Sequence, residues 1–140
     1  MVRFAQGGNY EIELVGGVAH CRVWRRPDVD HATGARFAQQ LAAHLAELLR
    51  ADARALVLDL REAPPVQGPR TQAAVGGILG AWEANARPAA FVVTGALSHL
   101  QMVRLAREHA PHHARVFQHP DEANAWVVER LRDAGLAGRG

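Results

Sequence analysis

Two nearly continuous apolar runs, Arg54–Arg61 (RALVLDLR) and Ala89–Thr94 (AAFVVT), constrain this chain more than any other feature. Each is short enough for a strand and short for a helix. Neither alternates polar with apolar residues, so each reads as a buried strand with both faces covered. Amphipathic helices on either side in the sequence supply that cover. Asp30–Arg50 places Phe37, Leu41, Leu45, Leu48 and Leu49 on one face, and Asp30 or Thr33 can cap its start. Arg70–Ala86 places Val75, Ile78, Leu79, Trp82 and Ala86 toward the core. Ser98–Ala110 is a third helix, with Ser98 and Gln101 spaced for a capping box. A short strand, Ala114–Gln118, precedes a last helix opened by Pro120. Proline suits that first turn, and Asp121 and Glu122 suit its positive dipole end. Ala123, Trp126, Val127 and Leu131 form its core face.

The beginning of the chain carries a different signal. Tyr10–Val15 and Val18–Trp24 flank Gly16–Gly17, and a two-residue Gly-Gly loop accepts the positive φ angles of a type I′ turn. The loop sets the register, with Val15 opposite Val18. Leu14, Ile12 and Tyr10 then oppose Ala19, Cys21 and Val23 on an apolar face. Glu13 and Glu11 oppose His20 and Arg22 on a charged one. Cys21 is expected to be a buried, unreactive thiol, and Trp24 falls on the charged face beside Asn9. The predicted order is β-β-α-β-α-β-α-β-α: an α/β domain with a mostly parallel sheet, an N-terminal β-hairpin and about four helices. One domain is expected over residues 1–140, with an ordered core from about 9 to 132 and a flexible tail at 133–140.

Composition narrows the classes. Hydrophobic residues make up 49% and charged residues 21%, a globular balance. The lone Cys21 allows no internal disulfide, no apolar run approaches a membrane span, and Met1–Gly8 lacks the apolar stretch of a signal peptide. A cytoplasmic protein is the expectation. All 16 basic residues are arginine, which fits a GC-rich genome, and they do not gather into a stripe, so no nucleic-acid partner is expected.

His109, His112, His113 and His119 lie close in sequence, with His99 on the preceding helix. Adjacent loop histidines tend to diverge and no cysteine supports them, so solvated loop residues are expected, with no metal and no cofactor. Asp59 ends a central strand, where α/β sites collect, but pairing with Arg61 or Arg87 accounts for it. Ser98 lacks a nucleophile elbow. Gly76, Gly77 and Gly80 lie within a helix, where they would permit close packing.

The element order resembles the STAS domain, the fold of anti-sigma factor antagonists in bacteria, over roughly Asn9 to Leu131. Val29–Thr33 (VDHAT) looks like the start of that family's first helix, and Val57–Leu60 (VLDL) like its central strand. Ala74–Gly80 (AVGGILG) is similar to the helix after the family's regulatory loop. Val116-Phe117, Glu122-Ala123 and Trp126-Val127 are similar to its closing strand and helix. The resemblance implies a non-enzymatic regulatory module that binds another protein, such as an anti-sigma factor or kinase-like regulator, or a second copy of itself. Family members regulated by phosphorylation carry an Asp-Ser pair where the central loop meets the second helix. Here the stretch reads Gln67-Gly68-Pro69-Arg70-Thr71, and Ser98 is the only serine in the chain.

The loop from Pro64 to Thr71 follows the central strand and should emerge at the C-terminal edge of the sheet. Its prolines limit the entropy lost on binding. Gln67, Gly68, Arg70 and Thr71 are therefore the expected partner-binding residues, with Trp24 as a further contact and Thr71 as the candidate phosphosite. The alternative is a carrier of small apolar ligands or lipids, because STAS-like sheets resemble part of the CRAL-TRIO fold. An apolar pocket under Ser98–Ala110 would favour it. An enzyme would require titratable groups converging in a cleft.

Overall fold

A computed structural model describes residues 2–51, 53–66 and 68–135, with side chains from residue 5 onward. The chain runs β1 (Val2–Gln6), β2 (Tyr10–Val15), β3 (Val18–Trp24), α1 (His31–Arg50), β4 (Ala55–Glu62), α2 (Pro69–Ala84), β5 (Ala89–Val92), α3 (Ala96–His109), β6 (Ala114–Phe117) and α4 (Pro120–Asp133). The strands form one sheet in the order β1-β2-β3-β4-β5-β6. The first three are antiparallel, and β3 through β6 are parallel. This is an α/β fold with a mostly parallel sheet.

The hairpin has the register that its sequence dictates, from Val15↔Val18 through Tyr10↔Val23. Gly16 and Gly17 both take positive φ, at 57° and 83°, as a type I′ turn requires. Arg54 fastens the turn, its backbone N–H donating to the Gly17 carbonyl at 2.7 Å and its guanidinium to that of Gly16 at 3.2 Å. The turn is thereby tied to the start of the neighbouring strand.

Strand β1 adds an element ahead of the predicted hairpin. Val2–Gln6 pairs antiparallel with β2, from Val2↔Leu14 to Gln6↔Glu11, with a register shift between Arg3 and Ala5. The hairpin is thus the inner part of a three-stranded meander. At the other end, α4 closes at Asp133. The remainder of the expected flexible tail, residues 136–140, lies outside the described residues.

Cover falls unequally on the two faces. Strands β3 to β6 are added in sequence order, and right-handed crossovers in a sheet growing one way place every connecting helix on the same side. Helices α1, α2 and α3 accordingly share one face, packing on Tyr10, Ile12, Cys21, Leu56, Leu58 and Phe91. Helix α4 follows the last strand and covers the other face, where Ala123, Val127 and Leu131 meet Val57, Val92 and Phe117. Alternate residues of β4 and β5 therefore serve two separate cores, the reason these strands are apolar throughout. Each fully buried Leu, Phe or Val side chain contributes about 1.5–3 kcal/mol through lost apolar exposure.

Helix ends differ in detail from the sequence reading. Asp30 caps α1, its Oδ1 accepting from the Thr33 N–H at 2.8 Å. Helix α3 starts at Ala96 with Gly95 as its cap, so Ser98 lies inside the helix and the expected capping box does not form. Ala86 is not on the core face of α2. It follows the helix, exposed, with φ at 54°, and Arg87 N–H reaches back to the Trp82 carbonyl at 3.1 Å. Gly76 does allow a close approach, since a Cβ there would lie 2.9 Å from His109 Nε2. Gly77 and Gly80 face open space and have no such role.

Candidate functional site

The C-terminal ends of the parallel strands carry the loop from Ala63 to Gly68, and this loop borders a cavity of about 300 Å³. The cavity lies between α1, α2 and the ends of β3 and β4. Helix α1 contributes Phe37 and Leu41, β4 contributes Leu58, and α2 contributes Val75 and Ile78. Pro64, Pro65 and Val66 form the loop wall. An apolar pocket under α3 would favour the carrier alternative; this cavity lies between α1 and α2.

Polar groups at the cavity are largely committed elsewhere. Arg26 holds Asp28 through two hydrogen bonds of 2.8 Å and donates to the Gly8 carbonyl at 2.7 Å. That pairing lowers the Asp28 carboxyl to a pKa of about 2. Asp30 is occupied as the α1 cap, and hydrogen bonds from Thr33 hold its carboxyl below the usual range. Asn9 differs. It lines the cavity, is only 9% exposed, and its Oδ1 has no hydrogen-bond partner.

The loop and the helix that follows it are each tied down. Gln101 of α3 donates to the Val66 carbonyl at 2.6 Å, and Arg70 donates to Gln39 Oε1 of α1 at 3.3 Å. Pro64 and Pro65, just before the Val66 anchor, are exposed. On the α3 side, Leu97 is 84% and Leu100 is 64% exposed, the largest values among the exposed large hydrophobic residues described. Leu97 precedes Gln101 by one helical turn on the same face, so it stands next to the pinned loop. The Gln101–Val66 bond thus joins the loop to the first turns of α3, where Leu97 and Leu100 are exposed.

Of the predicted partner-binding residues, Gly68, Arg70 and Thr71 follow this loop on the side toward α1. Gly68 is the α2 cap with φ at 83°, Arg70 is exposed, and Thr71 is half-buried on the cavity rim. Gln67 lies outside the described residues. Trp24 is separated from the cavity by the sheet itself. Val23 faces the cavity, and its neighbour Trp24 turns to the other face, half-buried with the Arg22 guanidinium 5.3 Å from its ring centroid. Leu97, Leu100 and Asn9 were not singled out as binding residues in the sequence. An apolar pair at i, i+3 off the core face was a usable signal, but it depends on α3 starting at Ala96 and not at Ser98.

The outer face of the hairpin holds titratable groups. Glu11, Glu13, His20, Arg22 and Asp59 border a shallow depression of about 200 Å³ beside α4. Most of their charges are paired. Arg22 lies 3.3 Å from Glu11 and 3.6 Å from Glu62, and Asp59 takes a two-pronged contact from Arg61 at 3.0 and 2.8 Å. Burial would raise the Asp59 carboxyl, but hydrogen bonds from the Arg61 side chain and backbone outweigh it and hold it low. Arg87 is directed away, to the Ala53 carbonyl at 2.7 Å. Burial pulls His20 below its ordinary pKa, against a smaller opposing pull from Glu13. Cys21 is 3% exposed in the helix-side core, and burial pushes its thiol far up, aided by Glu11 and Asp59.

The histidines serve several local contacts. His112 Nδ1 lies 2.9 Å from Glu83 Oε2, and Glu83 Oε1 accepts the backbone N–H groups of His112 and His113 at 3.2 and 2.9 Å. His109 packs at Gly76. Among the described residues no three His, Cys, Asp or Glu side chains converge as a metal-ion set would. No helix among them is long and apolar enough to cross a membrane. The chain matches no protein-family model and no curated protein.

Proposed function

We propose that this domain is a non-enzymatic, cytoplasmic regulatory module of the STAS type that binds another protein through the C-terminal edge of its sheet. The observation that carries this reading is the exposure of Leu97 and Leu100 beside the proline-rich loop. Apolar side chains scattered singly on a surface are ordinary, but neighbouring ones on a pinned scaffold favour association. The loop is held at Val66 by Gln101, and the helix that follows it is tied to α1 by Arg70, so little ordering entropy is lost when a partner docks. Gly68, Arg70 and Thr71 follow the same loop on its α1 side, and polar residues around apolar anchors are the arrangement of a protein interface. An anti-sigma factor or kinase-like regulator is the proposed partner class, with a second copy of the chain as the homodimeric case. Binding is proposed to be constitutive, with Thr71 the position at which a phosphate would interfere or add an anchor.

The test is affinity capture from the native cell with three baits: wild type, a Leu97→Asp/Leu100→Asp double variant, and a triple alanine variant at Gln67, Arg70 and Thr71. Leu97, Leu100 and Arg70 are exposed, and exposed positions tolerate substitution within about 0.5 kcal/mol. Circular dichroism melts check that each bait is folded. The expected result is loss of the same partner from both variants. If both folded variants recover every partner at wild-type yield, the edge is not the interface. Sedimentation of the double variant against wild type reads out the homodimeric case.

A further inference from the structure

The edge of the sheet formed by β6 is open in a defined way. This strand pairs with β5 alone, and no strand lies on its outer side. The His113 and Phe117 carbonyls accept from the Ala89 and Val93 N–H groups, each at 2.9 Å. Successive residues of a parallel strand bond to alternate sides, so Ala114 and Val116 turn their N–H and C=O groups outward. No hydrogen bond among the described residues reaches those groups. Beside them a cleft of about 290 Å³ runs between β6 and the second half of α3. Val103, Ala106 and Ala110 give it an apolar helix wall.

Charge decides what kind of strand fits this edge. Arg107 and Arg115 are the charged residues of the cleft lining, which includes no carboxylate. Both are exposed, and neither makes an ion pair among the described residues. The neighbouring Glu108 lies 3.8 Å from His109 Nε2 and does not line the cleft. Along β6, Arg115 alternates with Ala114 and Val116, which pack on the helix-side core. The complement of such an edge is a strand that alternates apolar with acidic residues, because opposite charges on neighbouring strands attract. A second copy of β6 brings arginine against arginine, and charged edges deter that kind of self-pairing. We propose that β6 accepts an extended segment of another protein in which apolar residues alternate with Asp or Glu. Its apolar side chains enter the cleft beside Val103, and its carboxylates are drawn to Arg115, with Arg107 adding to the same positive field. Backbone pairing at an open edge supplies affinity in such complexes, and the alternate side chains supply selectivity.

The probes are two short capped peptides, one alternating valine with glutamate and the other valine with lysine. Each is titrated at low salt into the isotope-labelled full chain and followed by amide NMR. The glutamate peptide should shift the Ala114 and Val116 amides, slow their hydrogen exchange, and bind about tenfold tighter than the lysine peptide. Arg115→Glu, at an exposed position, should invert that order. Val116→Pro removes one outward N–H and leaves the bonds to β5 in place, a substitution that edge strands tolerate, and should abolish binding of the glutamate peptide. If Val116→Pro does not fold, Arg115→Glu still decides. The proposal is overturned if neither peptide reaches these amides, if the two peptides bind wild type alike, or if Arg115→Glu keeps the wild-type preference. It is also overturned if the same amides shift with protein concentration alone, which would assign the edge to a second copy. None of these variants alters Leu97, Leu100, Arg70 or Thr71, so this titration and the partner capture succeed or fail separately.

Discussion

Replacing Cys21 by aspartate tests the face assignment on which the fold rests. Cys21 is 3% exposed among Ile12, Leu58 and the helices above, while its neighbour His20 is half-buried on the opposite, charged face. A carboxylate at position 21 would be buried without a partner, at a cost of about 3–5 kcal/mol. Glu11 and Asp59, which already push the thiol up, would push a carboxyl up as well. That gives the loss a pH dependence with a definite sign. A carboxyl whose folded pKa is raised is tolerated best when protonated, below its unfolded value of about 3.9, and the penalty grows as pH rises through the folded value. The deficit of Cys21→Asp should therefore be largest near neutral pH and shrink toward pH 4. His20→Asp places a like charge opposite Glu13 on a partly solvated surface and should cost about 1 kcal/mol or less. Urea unfolding followed by circular dichroism measures both, and a domain of ordinary stability, about 5–15 kcal/mol, leaves room for the larger loss. If His20→Asp proves the more damaging, the register is displaced by one residue and both cores are wrongly assigned.

Three further outcomes are expected. Gly77→Ala should stabilise the domain by about 0.5–1 kcal/mol in the same urea assay, because its Cβ meets nothing and the helix interior gains propensity, whereas Gly76→Ala should gain less because its Cβ presses on the His109 ring. Asp30→Ala should lose about 1 kcal/mol through the missing cap of α1, read as a lower urea midpoint. Glu83→Gln should weaken the hold on residues 112 and 113 by about 1 kcal/mol. Burial alone would raise the Glu83 carboxyl, but hydrogen bonds from His112 and His113 hold it low. Its contribution is therefore present above about pH 4.3 and lost as pH falls through the folded value, so wild type and Glu83→Gln should converge in acid.

Where local chemistry and pattern act together, the chain's own sequence determines the structure. Two glycines with positive φ between alternating strands leave one register, because a slip of one residue would turn Cys21 outward and His20 into the core. Asp30 before an amphipathic run, and Pro120 ahead of Asp121 and Glu122, mark helix starts by satisfying or dispensing with the same orphan N–H groups. Strand β1 was not legible, because five residues between a terminus and Gly7-Gly8 gain strand character only from the β2 edge they pair with. Nor was the start of α3: Gly95 serves as a cap with no side chain to announce it, and the two-residue difference decides that Leu97 and Leu100 stand on an exposed first turn. The cavity is a property of tertiary structure alone. Its walls come from α1, α2, two strands and the loop at 63–66, and no residue carries that arrangement as a local preference. Asn9 was visible in the sequence as a polar residue before a strand. Only the tertiary structure leaves its Oδ1 buried and without a partner.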